Sequence, residues 1–416
     1  MNSFQTIVLS IFGFFILAGL LTVALVKQGG QGKAVQISLW GTVEARVMNE
    51  IAQTTFDSEK IKISYREVKP ETYDQTLIEA LASGKGPDMV LLPLDLLMRQ
   101  KDKLKIIPYT TYSERSYRDT FIQEADLFAQ GNGIAALPFS IDPLVMYFNR
   151  DLLDEVSVSE APKYWDEFIM LAKNLTVKND SGDISRSAVA LGEYRNINSA
   201  KPILAAMFLQ AGNPIIDSEG KATLLQSNTG PVLSFFTEFG NPVKPVYSWN
   251  RALPSSRNMF LSSRLGVYFG FGSEYEELKR GNPNLDFDIA LFPRPRNASV
   301  GTTFGKLTGI AVLRAARDPS TALQVALVLA GPTVAAKVSE KTGLPPVHRA
   351  LLAKKPVDAF GSVMYDSAIR SRGFLDPNPE ASEFAFQNMI ESVTSGRERV
   401  GAALNKANSD LQSLVR

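Results

Sequence analysis

Cysteine is absent from the 416 residues, and histidine occurs once, as His348. Without a thiol there is no disulfide, no cysteine nucleophile, no iron–sulfur cluster and no cysteine-based zinc ribbon. A lipoprotein anchor, which is acylated on a cysteine, is excluded with them. A single histidine leaves no room for a multi-histidine metal site and very little for Ser-His or Cys-His chemistry. His348 lies in Leu344-Pro345-Pro346-Val347-His348-Arg349, which reads as a loop with the imidazole solvated or capping a helix. A surplus of charge is missing too. With 44 Lys and Arg against 43 Asp and Glu, the net charge is +1, which lacks the overall cationic excess that displaces counterions from nucleic acid. No repeat appears at solenoid periods.

What is present suits a large globular protein: 45% hydrophobic and 21% charged residues over a length that suggests two or three domains. From Ile7 to Val26 the chain reads IVLSIFGFFILAGLLTVALV without a charge. A helix of that length spans a hydrocarbon core of about 30 Å. No Lys or Arg precedes it, and Thr22-Val23-Ala24 is a poor cleavage site. An uncleaved anchor is therefore preferred to a removed signal peptide, with a buried core helix as the remaining option. Lys27 on the far side argues, weakly, for the opposite orientation, so export is inferred from the body of the chain. Gln28-Gly29-Gly30-Gln31-Gly32-Lys33 reads as a flexible linker.

Beyond it, strand and helix patterns alternate. Val35–Trp40, Ile61–Tyr65 and Met89–Leu92 read as strands, and helical patterns lie between them, one of them over Tyr73–Ser83 and ending at Gly84. This order implies a parallel sheet in an α/β lobe. Ala135–Phe139 and Leu144–Asn149 are extended runs separated by Ser140-Ile141-Asp142-Pro143, read as a crossing between lobes. Later come a helix at Trp165–Leu175, strand-like Phe287–Phe292 and Gly305–Val312, and helices at Thr321–Ala330, Ala381–Val393 and Val400–Leu414.

In this order the chain resembles the extracellular solute-binding proteins of the maltose-binding type over roughly Val35 to Val415. Gly86-Pro87-Asp88-Met89-Val90 resembles the family's G-x-x-P-D-V. Leu137-Pro138-Phe139…Asp142…Tyr147-Phe148-Asn149-Arg150-Asp151-Leu152-Leu153 resembles its P-x-x-x-D-x-x-x-x-Y-Y-N-K-D-L-F. Pro162-Lys163-Tyr164-Trp165-Asp166-Glu167-Phe168 is similar to P-K-T-W-D-E-L, Gly212–Asp217 to G-G-x-x-x-D, and Gly343-Leu344-Pro345-Pro346 to G-x-x-P-V. The usual G-K-A-A-M segment departs from pattern, appearing as Ser263–Phe269. The resemblance implies an α/β, two-lobed periplasmic-binding-protein-like fold with hinge crossovers. Residues 35–141 and 284–332 would form the N-terminal lobe, and 142–283 and 333–416 the C-terminal lobe, behind an anchor at 1–27 and a linker at 28–34. It also implies a monomeric, non-enzymatic, exported or membrane-tethered component of an ABC importer. Its partners would be a small-molecule ligand, in the first place an oligosaccharide, and membrane permease subunits. No cofactor, metal or nucleic acid is expected. A polyamine, peptide or sugar-phosphate ligand, a sensor role and a glycosidase stay open as alternatives.

Sugar capture needs aromatic faces for pyranose C–H surfaces and polar groups for hydroxyls. Candidates lie at strand ends and crossing loops. Trp40, Gly41 and Thr42 end the first strand, and Trp40 lines the cleft or packs under the first helix. Asp95 contacts ligand or caps the helix that follows, and Asp142 contacts ligand or forms a turn. Tyr147 faces the pocket or packs within its strand. Trp165 reads as structural. Trp249 stands in the polar stretch Tyr247–Arg251 and is a cleft candidate. The cluster Tyr268–Tyr275 is the foremost candidate, with Phe271, Ser273, Glu274 and Tyr275 toward ligand, a plain strand and turn being the alternative. Asp376, in Asp376-Pro377-Asn378, completes the set.

Overall fold

The computed structural model describes residues 34–56, 60–131, 133–298 and 300–415. The expected anchor at 1–27 and all but the last residue of the linker lie outside the described residues. Among the described residues, no single helix is long and apolar enough to cross a membrane.

Apolar runs bounded by turn residues become the strands β1 (Val35–Gly41), β2 (Ile61–Glu67), β3 (Met89–Pro93), β4 (Ile107–Pro108), β5 (Ala129–Gln130), β6 (Gly133–Ile134) and β7 (Leu137–Asn149). Then follow β8 (Val177–Lys178), β9 (Ile184–Val189), β10 (Leu265–Phe271), β11 (Phe287–Ala290), β12 (Thr303–Val312) and β13 (Ser371–Arg372). One ladder runs β2-β1-β3-β12-β7-β10-β9-β8, with β11 on β7 and β13 on β12, while β4, β6 and β5 form a small separate sheet. β1 is parallel to β2 and β3, the arrangement the alternating pattern predicts. The crossing differs from the pattern. The two extended runs expected there are a single strand, β7. Its first half pairs with β12 from Leu137 to Pro143, and its second half pairs with β10 from Leu144 to Phe148. The handover falls at Pro143, a residue with no N–H to give a ladder.

Two hydrophobic cores flank this handover. The first takes Ile37 to Ile141, then Leu307 to Leu352 and Ala368. The second takes Leu144 to Phe292, Met364 and Phe374 to Leu411. Two expected lobe boundaries need correction. Leu285, Ile289 and Phe292, expected in the first lobe, pack in the second core, because β11 pairs with the second half of β7. Val334, Val338, Val347 and Leu352, expected in the second lobe, belong to the first core. The helix Pro332–Thr342 lies against the helix Ala45–Thr55, where Lys341 meets Glu50 at 2.6 Å. His348 is also unlike its expectation. It is buried against Phe121, with ring centroids 4.9 Å apart, its side chain caps no helix, and burial pushes its imidazole down to about 4.

Asp88 ties the first sheet together. Its carboxylate accepts hydrogen bonds from Ser38 N (2.8 Å), Ser38 Oγ (2.6 Å), Arg317 N (2.9 Å) and an Arg317 Nη (2.8 Å). Burial alone would raise this carboxyl, but the Arg317 and Ser38 donors hold it well below the usual range. The folded chain thus releases this proton at lower pH than the unfolded chain does. Its stabilisation is complete above about pH 4 and fades as the pH falls further. Asp88→Ala is expected to cost about 2 kcal/mol in urea unfolding at pH 7. That difference from the wild type should shrink steadily in titrations taken below pH 4.

Candidate ligand-binding site at the lobe crossing

β10 delivers Phe271 beside Leu144, and the chain then turns through Gly272-Ser273-Glu274. The turn folds back on itself. Glu274 Oε1 accepts from Phe271 N (2.8 Å), and Oε2 accepts from the Tyr268 hydroxyl (2.5 Å). Gly272 leaves room for the Met364 side chain, whose Cε would lie 2.0 Å from a Cβ there. The turn points the Ser273 N–H at Asp142 Oδ1, 3.1 Å away. Across the ladder from Asp142 stands Lys306, whose Nζ lies 3.7 Å from the Phe271 ring centroid, a cation–π contact. Asp142 is only 9% exposed, and burial pushes its carboxyl up to about 6. The Ser273 bonds and the Lys306 charge oppose that rise, and Glu274 adds to it. Ser273 and Lys306 are themselves exposed. A carboxyl, a hydroxyl and an ammonium are therefore grouped between the two cores.

A second polar cluster belongs to the far lobe. Asp376, buried, accepts from Lys201 Nζ (2.7 Å), Ser382 Oγ (2.7 Å) and Asn378 N (3.1 Å). The Tyr194 hydroxyl donates to Glu383 beside it. Asp95 approaches from the first lobe, on the 3-10 turn Leu94–Leu96, with an exposed side chain that caps no helix. Its carboxyl is raised, first by the protein mass around it and then by the charge of Asp376, while Lys201 and Lys306 pull the other way. Asp95, Asp142, Ser273 and Asp376 thus come together around the crossing, joined by Lys201 and Lys306, which the sequence reading missed; Phe271, expected toward ligand, lies beside them but is buried, 3% exposed, with the Lys306 ammonium over its ring. Lys306 carried one signal, a charge inside an otherwise apolar strand pattern. Lys201 carried the same signal in an apolar helix, Ala200–Gln210.

Other candidates are turned inward. Trp40 is 8% exposed, with the Arg66 guanidinium 4.3 Å from its ring, so packing is its role. Gly41 is where it is because a Cβ would fall 2.7 Å from Leu91 Cδ1, and Thr42 is half-buried at the strand end. Tyr147 is fully buried, and its hydroxyl donates to the Phe271 carbonyl (2.8 Å). Trp249, expected in the cleft, is fully buried in the second core. Its Nε1 donates to Asn196 Oδ1 (3.0 Å), and its own N–H and that of Ser248 both reach Phe239 O. The polar look of its neighbours reflects that hydrogen-bonded loop, not solvent. Glu274 spends both oxygens on the turn, and Tyr275 is half-buried, stacked on Phe360 at 4.2 Å. Trp165 is structural as expected, buried with Nε1 on Gln210 (2.8 Å). A cavity of about 360 Å³ lined by Lys173, Thr176, Lys178, Lys244, Pro245 and Tyr247 lies elsewhere, on the second lobe. Lys173 and Thr176 bring it to the end of the helix Glu167–Leu175, where carbonyl groups favour cations.

Comparison with known proteins agrees with this architecture. The family described as bacterial extracellular solute-binding protein matches residues 41–336. Binding proteins of Brucella abortus (strain 2308) and Brucella suis biovar 1 (strain 1330) are each 20% identical, covering 96% of this chain and 98% of theirs. Among solved structures, a cyclo/maltodextrin-binding protein complexed with maltotetraose superposes with a TM-score of 0.74 at 17% identity, covering 92% of this chain and 98% of that one. A cyclic α-maltosyl-1,6-maltose binding protein from Arthrobacter globiformis gives 0.72 at 16% identity, covering 92% and 99%. At such identities the likeness is one of fold.

The burial of Trp249 makes it a stability residue. Trp249→Ala should lower the unfolding free energy by about 3–5 kcal/mol in urea titrations.

Proposed function

Because the chain belongs to the bacterial extracellular solute-binding protein family, we propose that it captures a carbohydrate, an oligosaccharide in the first place, between its two lobes for an ABC-type importer. The observation that carries this reading is the grouping of Asp142, Ser273 and Lys306 at the handover of β7, a position both lobes share. A solute bonded there touches both lobes at once, and it favours whichever lobe arrangement makes more of those contacts. Hydroxyl groups suit the site, since a carboxyl, a hydroxyl and an ammonium offer both acceptors and donors. The maltodextrin ligands named for the structurally similar proteins support the same class. A polyamine is the second reading. It is favoured by Asp95, whose exposed carboxyl has no ion pair among the described residues, and by the inward turn of Trp40, Tyr147 and Trp249. We assign no turnover to the site. Residues 7–26 would hold the body at the outer face of the cytoplasmic membrane, and permease subunits would receive the ligand.

Titration calorimetry with maltotetraose and with spermidine separates the two ligand classes. Binding of neither would remove both. For maltotetraose, Asp142→Ala should weaken affinity by roughly 10- to 100-fold, the range for one buried charged hydrogen-bonding group. Because burial pushes Asp142 up to about 6, its charge appears as the pH passes through that value. A carboxylate accepts hydroxyl hydrogen bonds more strongly than the neutral acid. Affinity should therefore climb between pH 5 and 7 in the wild type and stay level in Asp142→Asn. Fold stability runs the other way. The folded chain keeps this proton to higher pH than the unfolded chain, so the group subtracts stability as the pH rises from about 4 to about 6.

A further inference from the structure

Glu124 lies in the 3-10 segment Gln123–Phe128, 1% exposed, and neither of its carboxyl oxygens has a protein hydrogen-bond partner. Its surroundings explain the tightness. A Cβ added to Gly305 would fall 2.2 Å from Oε2, and one added to Gly373 would fall 2.8 Å from Oε1, so the carboxyl rests on two bare Cα positions. Those glycines belong to different connections between the cores. Gly305 is in β12, and Gly373 follows β13, which pairs with the start of β12. Ile141, the last first-core residue of β7, flanks Gly305, as does Ser371, and Leu94 flanks Gly373. Three connections between the cores therefore meet at one buried acid.

Of the elements packed there, β12 carries Lys306, which projects from the opposite face to Gly305, β7 carries Asp142 and the turn at Leu94 carries Asp95, and none of the three acts on the carboxyl. β13 brings Arg372, the one charge acting on Glu124 among the described residues. The Arg372 guanidinium is engaged elsewhere, by Gln123, by Ser371 O (2.7 Å) and by Ile369 O (3.4 Å). An ionised carboxylate without donors is costly to bury, so this packing suits the neutral acid, and burial pushes the carboxyl well above the usual range.

We propose that Glu124 is a proton-operated latch on the hinge: the crossing segments pack closely around it only while it is a neutral acid, and its ionisation drives them out of the arrangement described here. On release the proton passes to solvent. The carboxylate gains water or the Arg372 guanidinium, either of which requires β12 and the segment around Gly373 to shift away from it. The latch works without ligand and does not depend on which solute the site takes.

The absence of cysteine makes the test clean, since dyes attach only where placed. Ser83 in the first lobe and Val243 in the second are exposed, and Ser83→Cys with Val243→Cys reports lobe separation by single-molecule energy transfer in ligand-free protein. Raising the pH from 5 to 9 should shift the population between two separations. The shift in their ratio is roughly tenfold for each unit by which the two forms differ in proton affinity. Glu124→Gln, which keeps the shape and cannot ionise, should hold the low-pH distribution throughout. Arg372→Gln should move the midpoint upward. A pH-independent distribution in the wild type overturns the latch whatever the variants do. So does a response that persists unchanged in folded Glu124→Gln, or one seen only as a change in melting temperature at constant separation.

Discussion

β7 pairs with β12 along its first half and with β10 and β11 along its second, so a single backbone is a structural member of both cores. Strand pairing is cooperative along a ladder and weak at its ends. At the handover of β7 the ladder changes partner at a proline, where rotation breaks the fewest hydrogen bonds. The two cores are each closely filled and share no apolar residue, Ile141 ending one stretch and Leu144 beginning the next. Connections between the cores thus converge on one place. The residues there are Asp142 and Pro143 on β7 and Gly305 and Lys306 on β12.

That place is also where the chain keeps ionisable groups out of water. Asp142 and Glu124 lie on this crossing, one held by a backbone N–H and a nearby ammonium, the other without a hydrogen bond and with only the Arg372 charge acting on it. Desolvation raises both, and for both it makes the charged form sensitive to small displacements of the strands. Asp88 shows the contrast. Deep in one sheet, with five hydrogen bonds on its two oxygens, it fixes structure. The same side-chain chemistry serves rigidity where donors are complete and responsiveness where they are not.

The fold was largely legible in the chain because each strand announces itself by apolar runs and each long helix by periodic ones. Val35–Gly41, Met89–Pro93, Thr303–Val312 and Val400–Leu414 lie where pattern places them. Lobe membership after residue 284 was less so, since nothing local in Val334 or Leu285 reveals which of two cores it enters. The site was half legible. Asp95, Asp142, Ser273 and Asp376 are polar residues at strand ends and loops, and they gather at the crossing. Trp249 misled because an aromatic side chain beside polar neighbours reads as exposed, whereas Asn196 Oδ1 takes its polar tip inside the second core; Tyr147, left open between pocket and strand, packs in the strand with its hydroxyl on the Phe271 carbonyl. Glu124 gave no signal at all. Its significance rests on Gly305 and Gly373, far away in sequence.

The interleaving of the two cores has a consequence for how the chain comes into being. The first core needs residues from Ile37 through Leu352 and Ala368, and the second needs residues from Leu144 through Leu411. Neither can seal while synthesis is under way, because each waits for segments hundreds of positions downstream, and such distant closures are slow. The first core thus closes only once Ala368 is present, and the second only once Leu411 is.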